Sequence, residues 1–219
     1  MPVPDFSRIK SALASLAVAQ PRVFGADSHA FCVNPTLSEA DVIAFEQEHR
    51  VTLPDDFRQF LTSVGNGGAG PFYGVFRLGE MDDGFGYRRW QEGDGVVGNL
   101  SQPFPFQEEW NDLSTMPPKE LLEEDPSEYD RQTEIFEKVY WDASLVNGTF
   151  PICHEGCALR VLLVVSGAAA GYLWEDRRSE YGGLEPLRLT DGSFATFAGW
   201  FEEWLESSLG APAVESSRS

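Results

Sequence analysis

Apolar residues recur at helical spacing in three stretches of the chain and run almost unbroken in a fourth. Near the N-terminus, Phe6, Ile9, Leu13 and Leu16 fall on one side of an amphipathic helix. Residues 37–68 hold two more helices with local boundary signals. Ser38 is followed three positions on by Asp41, the pattern of a capping box, and Leu37 and Val42 stand where a hydrophobic staple would join. Pro54 is placed to open the second helix at its first position, where a missing N–H costs nothing. Phe57, Phe60, Leu61 and Val64 then recur at i, i+3, i+4 and i+7. Gly65 is expected to end that helix in a left-handed conformation. Asn66, Gly67 and Gly68 predict a turn into a β segment.

Beyond this block four regions emerge. Residues 4–64 read as helical, with a loop over 25–35. Residues 71–106 read as strands and turns, with FYGVFRL as a loosely alternating segment. Residues 107–144 are polar, with short helices expected around KELLEE and PSEYDRQTEIFEKVYWD. The chain then returns to strands. LRVLLVV, residues 159–165, is the near-continuous apolar run of a strand buried on both faces. A small-residue connection over 167–171 and a strand at 172–174 complete a hairpin. Residues 184–189 predict a short strand, placed at an edge by Pro186. Ser193 is expected to open a last helix with Phe194, Phe197, Phe201, Trp204 and Leu205 on one face beside Trp200.

Helices, then strands, then a helix, without βαβ alternation, give an α+β fold. The expected arrangement is a single domain: a mixed, mainly antiparallel sheet with helices packed mainly on one face. Residues 1–36 form an N-terminal helix and loop, 37–209 the main domain with an acidic insertion at about 107–144, and 210–219 a disordered tail. No internal repeat of fixed period is present.

Hydrophobic residues make up 42% of the chain, enough for a substantial core, so the protein is globular. Charge narrows the function. Sixteen basic against 35 acidic residues give a formal net charge of −19. Such a surface repels phosphates and anionic membranes and attracts basic proteins. Nucleic-acid binding is disfavoured because it needs a basic stripe. Three cysteines make no disulfide framework and fit a reducing compartment. No apolar run approaches the ~20 residues that span a bilayer. Residues 11–20 are short and alanine-rich, and they read better as helix than as a secretory signal.

Candidate chemistry is sparse. Cys153, His154 and Cys157 are good zinc ligand types, but the Cys-x-x-x-Cys spacing lacks a second pair, and His29 and His49 are distant in sequence. A turn entering a core strand is the preferred reading. There is no Gly-x-Ser-x-Gly elbow and no phosphate-binding Gly-x-x-x-x-Gly-Lys loop. No catalytic, cofactor or metal residue is assigned. The insertion is more suggestive. Twelve carboxylates stand there against Lys119, Arg131 and Lys138, interleaved with Trp110, Tyr129, Phe136, Tyr140 and Trp141. Aromatics among acids can anchor a protein interface, the rings as hot spots and the acids as steering charge. Glu108, Glu109, Trp110, Asp112, Glu123, Glu124, Asp125 and Tyr129 are the candidate partner-binding residues. The competing reading has these aromatics pinning the insertion to the domain while its acids are solvated.

Glu46, VTLPDDFRQFL at 51–61 and Asn66-Gly67-Gly68 resemble the signature of the SUKH superfamily, which includes the yeast cell-wall-synthesis-regulator (Smi/Knr) domain and many bacterial relatives. Gly65 before Asn66 is a minor departure. PFPFQEEW at 103–110, GTFPICHEGCALRVLLVVSG at 148–167 and GYLWEDRR at 171–178 are similar to its longer bacterial members. The resemblance covers about residues 37–209, less the insertion. It implies a mixed α+β fold and a cytoplasmic, cofactor-free immunity protein that neutralises a polymorphic toxin, often a nuclease. It further implies that Pro54, Phe57, Phe60, Leu61, Asn66, Gly67 and Gly68 are structural. The acidity suits a toxin with a basic surface. The alternatives are a regulatory scaffold of the yeast type and, third, a metal-binding enzyme using Cys153, His154 and Cys157.

Overall fold

The computed structural model describes residues 6–82 and 86–212. Helix α1 (Phe6–Ala19) buries Ile9, Leu13 and Leu16, with Phe6 packed at their edge, as its period predicts. Helix α2 (Glu39–His49) carries the full capping box: the Asp41 N–H donates to Ser38 Oγ at 3.2 Å and the Ser38 N–H to Asp41 Oδ2 at 3.0 Å. Helix α3 (Asp55–Ser63) buries Phe57, Phe60 and Leu61. Two details differ from expectation. Pro54 is the cap, not the first helical residue; its ψ of 139° is extended, and its carbonyl accepts the Arg58 N–H. Gly65 is not left-handed. It is small because a Cβ there would lie 2.6 Å from the Asn34 carbonyl oxygen, and the left-handed residues are Gly67 and Gly68.

The strand expected over FYGVFRL shrinks to single bridges at Val75, which pairs with Gly68 on one side and Cys153 on the other. Phe72 (φ +51°) and Gly74 (φ +98°) leave the extended region and prevent a longer ladder. Strands β1 (Glu80–Asp82) and β2 (Tyr87–Arg89) form a small antiparallel sheet. The acidic region folds as helix α4 (Lys119–Glu124) and a longer helix, α5 (Pro126–Tyr140). Asp125 caps α5, Pro126 opens it, and Phe136 and Tyr140 are buried.

The main sheet has the order β3 (Thr149–Gly156), β4 (Leu159–Val164), β5 (Leu173–Asp176), β6 (Leu184–Pro186), all antiparallel, with β6 at the edge as Pro186 predicts. A bulge between Pro151 and Cys153 lets Ile152 and Cys153 both reach the same core. Alternation along β4 divides its side chains. Val161 and Leu163 join Phe150 and Leu173 against α1, α2, α3 and helix α6 (Phe197–Leu209). Leu162 and Val164 join Trp174 and Leu184 against Phe104, Val146, Phe106 and Trp110. Four helices therefore share one face, while the start of the acidic region closes the other. Burial on both sides explains the unbroken apolar run, each such side chain contributing about 1.5–3 kcal/mol.

Helix α6 starts later than expected. Asp191 Oδ1 accepts both the Ser193 N–H and its hydroxyl, so Ser193 sits in a turn, and Thr196 is the cap. Phe194 precedes the helix, bridged to Arg188. Of the expected tail, residues 213–219 lie outside the described residues, while the Arg22 N–H donates to the Pro212 carbonyl at 3.3 Å. Residues 4 and 5 also fall outside. Among the described residues no helix is long and apolar enough to cross a membrane.

Candidate functional site

Trp110 and Leu184 exchange two backbone hydrogen bonds, each 2.8 Å, an antiparallel bridge that tethers residues 107–110 to the start of β6. Gly183 permits the approach: at φ +80°, a Cβ there would lie 2.1 Å from the Trp110 carbonyl oxygen. Between this strap and the sheet lies an open groove of about 660 Å³. Gln107, Glu108, Glu109, Glu175, Glu185, Pro186, Leu187, Arg188 and Phe194 line it. Arg188 is held aside, its Nη1 donating to the Gly192 carbonyl and its guanidinium 4.4 Å above the Phe194 ring.

Sheet register brings two of the lining carboxylates side by side. Val161 pairs with Glu175, and Glu175 with Glu185. Arg177 ties the cluster, bonding Glu180 and, at 3.2 Å, Glu185, with Glu175 3.9 Å away. Glu155, in the second bulge of β3, has a buried Oε1 without a hydrogen-bond partner among the described residues. Burial, then the neighbouring Glu175, pushes its carboxyl up to about 7. Burial, then Glu185, raises Glu175 as well. With Arg177 alone tying them, these carboxyls keep their protons more readily than exposed ones, and a cationic group brought from outside would favour their charged forms.

The candidate residues separate. Glu108 and Glu109 line the groove. Trp110 is half-buried and stacked between Phe106 and Tyr140 at 5.4 Å from each. Asp112 sits in a turn where the Ser114 hydroxyl, then the Ser114 N–H, lowers its pKa, and Asp125 accepts the Glu128 N–H as the α5 cap. Glu123 and Glu124 are exposed at the end of α4, and Tyr129 is half-buried early in α5. None of these last five lines the groove. Sequence reasoning missed Glu155, Arg177, Glu175, Glu185, Arg188 and Phe194. Glutamates inside short strands beside Trp174 and Leu184 were the available signal.

The Leu-Pro block works inside the fold. Glu46 joins α2 to α3, accepting the Leu53 N–H at 2.9 Å and Arg58 Nη1 at 2.7 Å. Asp56 accepts the Ala198 N–H at 2.9 Å and so adds a second cap to α6. Asn66 Oδ1 accepts the Leu78 N–H at 2.8 Å. Cys153 is buried, and burial raises its thiol well above the usual range. Cys157 is exposed in the β3–β4 turn. Among the described residues no three His, Cys, Asp or Glu side chains converge as a metal site.

A model of the SMI1 / KNR4 family (SUKH-1) matches residues 36–207, well over half of the chain, and places the chain in that family. No match was found among curated proteins or among solved structures.

Proposed function

We propose that this chain, which belongs to the SMI1 / KNR4 family, is a cytoplasmic immunity protein that binds and neutralises a toxin domain with a basic surface. Domains of this family are non-enzymatic modules of immunity or regulatory type that act by binding proteins. The observation that carries the reading is the acidic groove between the 107–110 strap and β6, where Glu108, Glu109, Glu175 and Glu185 converge, with Arg188 turned to the Gly192 carbonyl and Arg177 paired with Glu185. A groove of this kind occupies a positively charged surface without any chemistry of its own, and its long-range field accelerates encounter.

The test is co-expression with the product of the adjacent gene. Rescue of growth from that product's toxicity, with co-purification that weakens as salt rises, is the expected result. A non-toxic neighbour that still co-purifies would favour the regulatory-scaffold reading. Stoichiometric metal in the purified protein, with turnover, would overturn the non-enzymatic one.

A further inference from the structure

Past the Trp110 bridge, the outer edge of β6 is open. The Arg177 N–H donates to the Gly183 carbonyl and the Leu187 N–H to the Leu173 carbonyl, so the odd-numbered residues of 183–187 face β5 and the even-numbered ones face the groove. Trp110 takes up the backbone of Leu184. The bridge of Arg188 to Phe194 is closed by its neighbours, the Ala195 N–H donating to the Leu187 carbonyl and the Leu189 N–H to the Ser193 carbonyl. The backbone groups of Arg188 itself therefore point outward. Among the described residues, nothing bonds the Pro186 carbonyl or the Arg188 N–H and carbonyl. Pro186 has no N–H to leave unpaired at such an edge. Charge surrounds these groups. Glu185 stands directly across from Glu175, and Glu108 and Glu109 form the other wall of the groove. Arg177 reaches Glu185 from the β5 side, while the Arg188 guanidinium is turned to the Gly192 carbonyl and the Phe194 ring.

We propose that β6 takes up an extended basic segment of the partner protein as an added antiparallel strand at residues 186–188, with alternate lysine or arginine side chains beside Glu175 and Glu185. The inference rests on the toxin-binding reading and names its mode of engagement. A strand seats about 4.8 Å from its neighbour. The residue opposite Arg188 exchanges two hydrogen bonds with it, and the residue opposite Pro186 donates a third. Residues opposite Glu185 and Leu187 turn their own N–H groups away and their side chains to the carboxylate face. Antiparallel entry matches every other pairing in the sheet. Local charge selects the occupant. A second copy of this chain, pairing by the same edge, would bring its own Glu108, Glu109, Glu175 and Glu185 to the groove, and like charges set opposite one another repel.

The probe is a short fluorescein-labelled peptide alternating lysine and threonine, titrated against the full chain by fluorescence anisotropy. With the lysines on the carboxylate face, only the threonine N–H groups point to β6. N-methylation of the threonines keeps every charge and should weaken binding about tenfold or more, whereas N-methylation of the lysines should cost less than about threefold. Equal binding by the three peptides means attraction by charge alone and overturns the proposal, as does a loss confined to the lysine-methylated peptide or no binding of the unmodified one. On the protein, Glu175→Gln/Glu185→Gln should weaken the unmodified peptide about tenfold at low salt. Glu123→Gln/Glu124→Gln, the same change of charge at the exposed end of α4, should leave binding within about twofold. Equal losses in the two variants overturn the proposal. If the chain neutralises the adjacent toxin while the peptide neither binds nor competes, the edge fails and the function stands. If the peptide binds in the stated pattern and the chain neutralises nothing, the edge stands and the function fails.

Discussion

The guanidinium of Arg178 grips the carboxylate of Asp176 with two hydrogen bonds, Nε to Oδ1 at 2.8 Å and Nη2 to Oδ2 at 2.7 Å, at a site closed to solvent. Nη2 also donates to the Gly95 carbonyl, and the guanidinium lies 4.6 Å from the Trp141 ring centre. One side chain thus joins β5, the loop at Gly95 and the end of α5. Arg178→Ala leaves Asp176 buried without its counter-ion, and the unfolding free energy should fall by about 3–5 kcal/mol. Urea denaturation followed by tryptophan fluorescence measures this; a loss below ~1 kcal/mol would mean that the pair is not closed to water.

The two-residue turn between β3 and β4 is made by Cys157 (φ +51°) and Ala158 (φ +61°), a conformation that disfavours side chains. Ala158→Gly should stabilise the protein by about 0.5–1 kcal/mol, since relief of strain exceeds the added chain entropy. Thermal unfolding should show a midpoint a few degrees higher. A lower midpoint would argue against this turn geometry.

Two groups give opposite pH dependences. His29 Nδ1 accepts the Phe31 N–H at 3.0 Å, and burial lowers the pKa of the ring below its ordinary 6.5, the Gly70 backbone opposing. The unfolded chain therefore takes the proton first as pH falls. Stability from this site is complete above about 6.5 and is lost below it. Glu155 is raised from 4.5 to about 7, so the folded state holds its proton more tightly and stability declines as pH climbs through that window. His29→Asn should flatten the acid side of the stability profile. Glu155→Gln should remove the decline toward pH 7 and leave the acid side unchanged. Denaturation midpoints across this range would separate the two, and a Glu155→Gln profile matching wild type would refute the assignment.

Glu108→Gln/Glu109→Gln removes two groove charges from an exposed strap. With a basic toxin partner, the association rate should drop about tenfold at low salt and converge with wild type at high salt, while dissociation changes little. Stopped-flow measurement at both salts tests this. A change confined to dissociation would place these glutamates in a dehydrated contact instead of a steering field.

Local order was readable from local residues. The capping box of α2 and the apolar face of α3 depend on neighbours within a few positions, and both appear as read. Errors arose where tertiary geometry decided. Val75 bridges two distant chain segments, which no alternation pattern encodes. Ser193 and Thr196 have the same capping chemistry, and the turn made by Asp191 settles which of them starts α6. The groove was half legible. Glu108 and Glu109 stand in an acidic run, but Glu175 and Glu185 join them only through strand pairing, and Glu155 approaches only because a bulge displaces it.

The strap at residues 107–110 also occupies the hydrogen-bonding rim of β6 at Leu184. Open rims of this kind recruit strands from other molecules and seed fibrous aggregates. A shortened version lacking residues 107–144 would bare the Leu184 backbone N–H and carbonyl and strip Trp110 from the core beside it. It should aggregate more readily than the full chain, so the apparent ornament of this chain also guards the edge of its sheet.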